Sequence, residues 1–374
     1  LGKRGNKMRK KISFAGPWIT ERETSYVKEA AAEGWYGNYD KYMKEFEDEV
    51  KNYLGVKYAI GTHCCTQALH LAAVAIGLKE GDEVIVTDHS WVATAHSIAY
   101  TGAKCVFVDI IPETLCINPE EIRKAITPKT KAIMVVHNFG IPADMDEITS
   151  IAKEYNLKVI EDAAPALGSI YKDKKCGTIG DVGCISFQGA KIAVASEGGV
   201  LVTNNEEIYK KACLFASMGR TDSQANFWSD EMGYQYTIGS LPAAMATVQI
   251  RRINELVDNK RKIYGWYARR LEQSSKIQMV KEKEGTFANY TYPACFLTDE
   301  VEVSAQYVEN KLRDYNIFCR TGFPQMSRFP MYEKRFETPV SQHFYEKGIV
   351  LPAAHNLVEE DIEFVCETLL KLVS

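Results

Sequence analysis

From about residue 50 to residue 205, short apolar runs alternate with segments of helical periodicity, and this alternation constrains the fold more than any other feature. Glu83 to Thr87 (EVIVT), Lys104 to Asp109 (KCVFVD), Ala132 to His137 (AIMVVH), Lys158 to Asp162 (KVIED), Cys184 to Phe187 (CISF) and Val200 to Thr203 (VLVT) read as buried strands. Strands apolar on both faces need cover on both sides, so the pattern predicts an α/β fold with a mostly parallel sheet between helices. The intervening segments carry helix signals. Asn118-Pro119-Glu120-Glu121 places an N-cap, an N1 proline and a reciprocal glutamate in order, and Asp144 to Tyr155 sets Ile148, Ile151 and Ala152 on one face.

Beyond Gly239 the pattern changes. Pro242 to about Leu271 carries apolar residues near helical spacing and is long enough to link two domains. Fewer strands follow, with a helix near Ser304 to Arg313 and a terminal helix from about Glu359 to Leu372. The 374 residues suffice for two cores. The reading is a tail over residues 1–11, expected to be disordered, a large domain over 12–255 and a smaller C-terminal α/β domain over 256–374. Thr20-Glu21-Arg22-Glu23 caps an early helix that could pack against either part.

With 46% hydrophobic and 25% charged residues and a net charge of −4, the chain has the composition of an ordinary globular protein. Its polybasic run is confined to Lys3, Arg4, Lys7, Arg9, Lys10 and Lys11, which argues against nucleic acid as a partner. No run approaches ~18 apolar residues and no signal-peptide core opens the sequence, so a cytoplasmic protein without a membrane partner is expected. Ten cysteines show no C-x-x-C spacing, and the adjacent Cys64 and Cys65 are poorly suited to bridging each other. They read as reduced thiols, with no metal site.

The chemistry centres on Lys191, in Ser186-Phe187-Gln188-Gly189-Ala190-Lys191 followed by Ser196-Glu197-Gly198-Gly199. A lysine between a buried strand and a Gly-Gly turn into another strand is shielded from water, which lowers its pKa and makes the amine a nucleophile. Upstream, Asp162 ends a strand where ligands sit in α/β sheets. A lone lysine is ordinarily a solvated charge and a lone aspartate a cap. Together they point to pyridoxal phosphate, with Lys191 as the Schiff-base lysine and Asp162 facing the pyridine nitrogen.

A helix opening at Cys65-Thr66, just after the strand-like Tyr58-Ala59-Ile60, offers amides and a hydroxyl to a phosphate, and Ser186 adds a second hydroxyl. Trp91, at the end of a strand, suits stacking on a pyridine ring or a place in the core. His70 reads as a packed histidine. His63, His89 and His137 lie near strand ends, and the sequence does not choose among them as groups that reach a substrate.

The ordered set Cys65-Thr66, Trp91, Glu161-Asp162-Ala163-Ala164, Ser186-x-x-x-x-Lys191 and Glu197-Gly198-Gly199 resembles the DegT/DnrJ/EryC1/StrS family of sugar aminotransferases. The similarity runs from Gly34-Trp35 and Phe46-Glu47 to Leu351-Pro352-x-x-x-Asn356-Leu357, and Met232-Gly233-Tyr234-Gln235-Tyr236 with Leu241-Pro242-Ala243-Ala244 resembles its perosamine-synthase-like members. The resemblance implies a fold type I pyridoxal phosphate enzyme. It further implies an amino-acid amine donor, L-glutamate or glutamine, and a nucleotide-linked keto-deoxy-sugar as acceptor, in polysaccharide or natural-product sugar synthesis. A homodimer sharing residues between sites is implied as well.

The chain departs from the family pattern at several positions. Pro165 stands where a glutamine usually meets the cofactor's phenolic oxygen, and Cys65 where a glycine opens the phosphate turn. Gln235 replaces the asparagine lent by the partner subunit, and Thr237 the arginine two residues on. A histidine-based sugar dehydratase is argued against by Lys191. A pyridoxal phosphate enzyme acting on amino acids, as a lyase or desulfurase, and a catalytically weak regulatory paralogue stay open.

Overall fold

The computed structural model describes residues 10–220 and 228–374. Seven strands form the central sheet: β1 (Tyr58–Thr62), β2 (Glu83–Thr87), β3 (Lys104–Val108), β4 (Thr130–Val136), β5 (Lys158–Asp162), β6 (Val182–Ser186) and β7 (Gly199–Thr203). Their order is β1-β7-β6-β5-β4-β2-β3. The pairings of β2 with β3 and β4, of β4 with β5 and of β5 with β6 are parallel, whereas β7 runs antiparallel to both its neighbours. The sheet is the mostly parallel one that the alternating runs predict.

Successive residues on each strand point to opposite faces, and the core divides accordingly. Val84, Val86, Phe107 and Met134 pack against α3 (Cys65–Ala75), α4 (Ala93–Ala99) and α7 (Glu206–Ala216). Ile85, Val106, Val108, Ile133 and Val135 pack on the other face with α5 (Pro119–Ala125) and α6 (Met145–Glu154). On that sheet's β7 side, Val200 and Val202 join a cluster with α2 (Lys41–Leu54) and α8 (Ser240–Arg251). The early helix α1 (Glu21–Glu33) has the capping box that Thr20 and Glu23 predict, and it lies against α8.

Two local expectations need correction. Asn118 does cap α5, accepting from the Glu120 amide at 3.0 Å, but Glu121 pairs with Lys124 at 2.7 Å. The helical stretch expected from Pro242 to Leu271 breaks at Arg252, so α8 and α9 (Ile253–Leu271) are separate helices. Arg252 is buried at that break, held by Glu23 at 2.5 Å and Glu255 at 2.9 Å. Three charge-assisted bonds to these two carboxylates compensate the desolvated guanidinium at the junction.

Helix α9 bridges two cores. Ile253, Leu256 and Val257 belong to the cluster under β7, while Ile263, Tyr264, Tyr267 and Leu271 belong to the C-terminal one. The boundary expected after residue 255 thus falls inside this helix. The C-terminal part is a four-stranded antiparallel sheet of β8 (Ile277–Met279), β9 (Ala294–Leu297), β10 (Arg320–Thr321) and β11 (Gly348–Val350), in the order β8-β9-β11-β10. It packs with α10 (Ala305–Asp314), α11 (Pro339–Lys347) and α12 (Glu359–Leu372). Residues 1–9 of the expected tail lie outside the described residues; Lys11 sits over the Phe318 ring, and Ile12 bridges to Ile317. Among the described residues no helix is long and apolar enough to cross a membrane.

Candidate active site

A cavity of about 710 Å³ opens beyond the C-terminal ends of the parallel strands. Asp162, the last residue of β5, is at its inner end, buried to 4% exposure. Thr94 Oγ1 donates to Asp162 Oδ2 at 2.7 Å, and the Ala164 amide donates to Oδ1 at 3.2 Å. Ser90, in the loop before α4, is linked to Thr94 at 2.9 Å, so a chain of two hydroxyls leads onto the carboxylate. Burial pushes the Asp162 carboxyl above its ordinary range, against these hydrogen bonds and the charge of Lys191.

Lys191 enters the same cavity from the loop between β6 and β7. It keeps some exposure to the cleft, yet enough protein surrounds its amine that desolvation lowers its pKa, opposed by the charge of Asp162. The loop folds on itself through Gly189 N–H to Ser196 O at 2.9 Å and Ala195 N–H to Phe187 O at 2.7 Å. Ser196 turns it with φ 69°.

The N-terminus of α3 faces the cavity through Cys64, Cys65 and Thr66. Its N-cap, Cys64, makes no side-chain capping bond, which leaves first-turn amides to an anion. A Cβ on Gly199 would lie 2.5 Å from the Cys65 nitrogen and from the Cys64 carbonyl carbon, so this glycine lets the helix start approach β7. Cys65 lies within α3 and is not among the residues with positive φ, so the missing glycine leaves the turn unstrained. Ser186 lines the cavity beside this turn's partner strand, buried.

Of the positions expected from sequence, Cys65, Thr66, Trp91, Asp162, Pro165, Ser186 and Lys191 all line this cavity. Trp91 is 64% exposed. Gln235 does not line it; it bridges to Ser217 and donates to Thr237 Oγ1 at 3.0 Å on the exposed side of the chain. The Pro165 carbonyl accepts from Asn289 at 2.9 Å and Thr291 at 2.8 Å, both from the C-terminal part. None of His63, His89 and His137 lines the cavity. His89 is packed among Phe139, Phe323 and Phe344, and His137 forms a buried pair with Glu161 at 2.9 Å. His70 packs as expected, its Nδ1 3.1 Å from the Tyr236 hydroxyl.

Sequence reasoning missed Thr94, Tyr292 and Arg320. Thr94 carries a weak signal, lying four residues beyond Ser90 in the segment that follows a predicted strand end. Tyr292 and Arg320 lie more than a hundred residues beyond Asp162 and carry none. The Tyr292 hydroxyl donates to the Ala190 carbonyl at 2.6 Å, and Arg320 lines the outer wall with Phe14, over whose ring it lies at 5.5 Å.

A nucleophilic amine, a buried carboxylate and an uncapped helix start around one cavity are the donor set that pyridoxal phosphate requires at its aldehyde, ring nitrogen and phosphate. The DegT/DnrJ/EryC1/StrS aminotransferase family model matches residues 17–370. The chain belongs to this family. The family is pyridoxal phosphate-dependent, and the residues just described fit that cofactor.

Among relatives, the chain is 36% identical over 361 residues to a GDP-perosamine synthase from Escherichia coli O157:H7, covering 96% of this chain and 98% of that one. It is 31% identical over 378 residues to the spore coat polysaccharide biosynthesis protein SpsC of Bacillus subtilis, covering 97% of each. The solved aminotransferase TlmJ from Streptoalloteichus hindustanus superposes with a TM-score of 0.90 at 28% identity, over 96% of this chain and 98% of that chain. The fold is that of fold type I enzymes of this family.

Proposed function

We propose that this chain moves an amino group from an amino acid, L-glutamate, to the carbonyl of a nucleotide-linked keto-deoxy-sugar, in the synthesis of a surface polysaccharide or natural-product sugar. The convergence of Lys191 and Asp162 on one cavity, with Arg320 on its outer wall, carries this reading. The names of the relatives support the sugar and polysaccharide context. When bound, pyridoxal phosphate supplies an electron sink for the charge that develops at the substrate carbon.

The chain's residues do the rest. Lys191 Nζ, its pKa lowered by burial, would hold the cofactor at its aldehyde carbon; the neutral amine is the base that would take the proton from the donor's α-carbon and, as the ammonium, the acid that would supply one to the acceptor's carbonyl carbon as its C–H forms. Asp162 would pair with the cofactor's ring nitrogen and keep it protonated, and Thr94 orients the carboxylate. The first-turn amides of α3, Thr66 and Ser186 would hold the phosphate, and Trp91 would stack on the ring. Pro165 offers no side-chain donor to the phenolic oxygen. Arg320 supplies positive charge for the diphosphate of a nucleotide-sugar.

The active unit in this reading is a cytoplasmic homodimer, with Gln235 of each chain completing the phosphate site of the other. The exposure of Trp91, and of Trp35, Tyr36 and Tyr39, supports an additional covering subunit. In this reading the groups that would hold the cofactor fall within residues 12–255, and the smaller unit begins inside α9, beyond Val257.

The test is spectroscopic. Borohydride should fix the cofactor to Lys191 alone, L-glutamate should bleach the visible band, and a keto-deoxy-sugar nucleotide, GDP-linked first, should restore it. Turnover of amino acids with no response to any sugar nucleotide would replace this reading with a lyase or desulfurase. Light scattering that shows an active monomer would remove the role of Gln235.

A further inference from the structure

The loop that carries Lys191 is held from outside at alternate residues. The Ala190 carbonyl accepts from Tyr292, the Ile192 carbonyl is 3.1 Å from His355 Nε2, and the Val194 amide donates to Gln249 Oε1 at 3.2 Å. Carbonyls on both sides of the lysine are therefore fixed by side chains remote in sequence. His355 is the one among these whose hydrogen-bonding direction depends on where a proton sits.

That proton can be located from the neighbours. Asn259 Nδ2 lies 3.0 Å from the His355 carbonyl and 3.1 Å from His355 Nδ1. A carbonyl oxygen only accepts, so the group facing it must be the amide nitrogen of Asn259, with two hydrogens to give. The second hydrogen points to Nδ1, which must then be the bare nitrogen. The imidazole proton is left on Nε2, facing the Ile192 carbonyl. Both contacts are satisfied by the same neutral tautomer.

The surroundings keep the ring neutral and still. His355 is buried at 6% exposure, and burial with the charges of Lys260 and Arg252 pushes its pKa down to about 3. The segment bearing it is tied to α9 as well: Lys260 Nζ donates to the Ala353 carbonyl, and the Tyr267 hydroxyl donates to Pro352 O at 2.9 Å. On its other edge, the Ala353 and His355 amides donate to Phe14 O at 2.8 Å and Gly16 O at 3.2 Å.

We propose that His355, oriented by Asn259, is a positioning residue for Lys191: its Nε2–H fixes the Ile192 carbonyl and thereby the direction and shielding of the lysine amine. Helix α9, which bridges the two cores, thus sets the geometry of the reactive amine without lining the cavity. The inference rests on the reading of Lys191 as the attachment point.

The test is made on folded apoprotein. Competitive acetylation with acetic anhydride across a pH series, read by peptide mass spectrometry, reports the neutral fraction of Lys191, with exposed Lys104 as the internal reference. His355→Leu removes the donor and loosens the loop. Its Lys191 profile is expected to move about one pH unit towards ordinary lysine, a roughly tenfold fall in neutral amine at fixed pH. His355→Gln places an amide nitrogen near the position of Nε2 and is expected to keep the wild-type profile. A role in folding alone would lower thermal stability without moving Lys191 relative to Lys104. A folded His355→Leu protein with the wild-type profile overturns the proposal. Should that variant not fold, His355→Asn, too short to reach Ile192, is read the same way. Failure of borohydride to label Lys191 would instead remove the functional reading, so the two failures are distinct.

Discussion

The inner end and the outer rim of the cavity are built differently. The inner end is made at the ends of adjacent strands: Asp162 closes β5, Ser186 closes β6, and Thr94 comes from the helix that follows β2. Its polar groups are buried, and Thr94 is bonded to Asp162. The rim consists of Trp91, Arg320 and Phe323, drawn from loops and from the C-terminal sheet, with Arg320 and Trp91 open to solvent. A rigid, desolvated floor suits chemistry that every member of an aminotransferase family shares, while an open rim of mixed origin suits the selection of one substrate.

This contrast breaks most visibly at Asp162. Asp162→Asn is expected to lower kcat roughly 10²–10³-fold, measured by stopped-flow with L-glutamate. The fold should not suffer. The folded carboxyl holds its proton more tightly than the unfolded one, so its ionisation costs stability as pH rises above the ordinary carboxylate range. Asn removes that cost. The apoprotein variant should melt no lower than wild type at neutral pH, with the difference closing as pH falls towards 4. A large drop in melting temperature with intact chemistry would make Asp162 structural.

Arg320→Ala tests the rim. Loss of a charge-assisted contact to a diphosphate should raise KM for the sugar nucleotide roughly ten- to a hundredfold and leave the half-reaction with L-glutamate unchanged. A matching loss in the glutamate half-reaction would place Arg320 with the amine donor and erase the division of labour.

Thr94→Val returns to the floor with a smaller effect, about five- to tenfold in kcat from one lost hydrogen bond. Because that bond favours the charged carboxylate, its removal should raise the Asp162 pKa further and move the acidic limb of the rate profile to higher pH. A limb shifted to lower pH would contradict the assignment.

The smallest effect is expected at Pro165. Pro165→Gln adds a donor toward the phenolic oxygen and should lower the apparent pKa of the visible band by less than about one unit. The bonds from Asn289 and Thr291 go to the backbone carbonyl at this position, so they survive the change. An unchanged or raised pKa in a spectrophotometric titration would mean that the proline serves the loop.

The sheet and the residues at the floor of the cavity are legible in the amino-acid order. Apolar runs of strand length have few ways to be buried, and a ligand at the strand ends follows from that topology, so Asp162 and Lys191 could be paired before any contact was known. Cys65, Thr66 and Ser186 were legible for the same reason, being attached to elements whose direction the hydrophobic pattern sets. What holds these groups follows from long-range packing. Thr94 acts through a hydrogen bond across 68 residues, and Tyr292, His355 and Gln249 reach the lysine loop across 102, 163 and 55 residues. Local propensity carries no information about such partners, since a buried hydroxyl, amide or imidazole is chosen by whichever donor or acceptor the packed chain leaves beside it. The surroundings of Arg252 have the same origin. A helical period continues through that position, and at the break the buried guanidinium meets Glu23 and the Trp18 carbonyl, more than 200 residues away in sequence, besides its local partner Glu255.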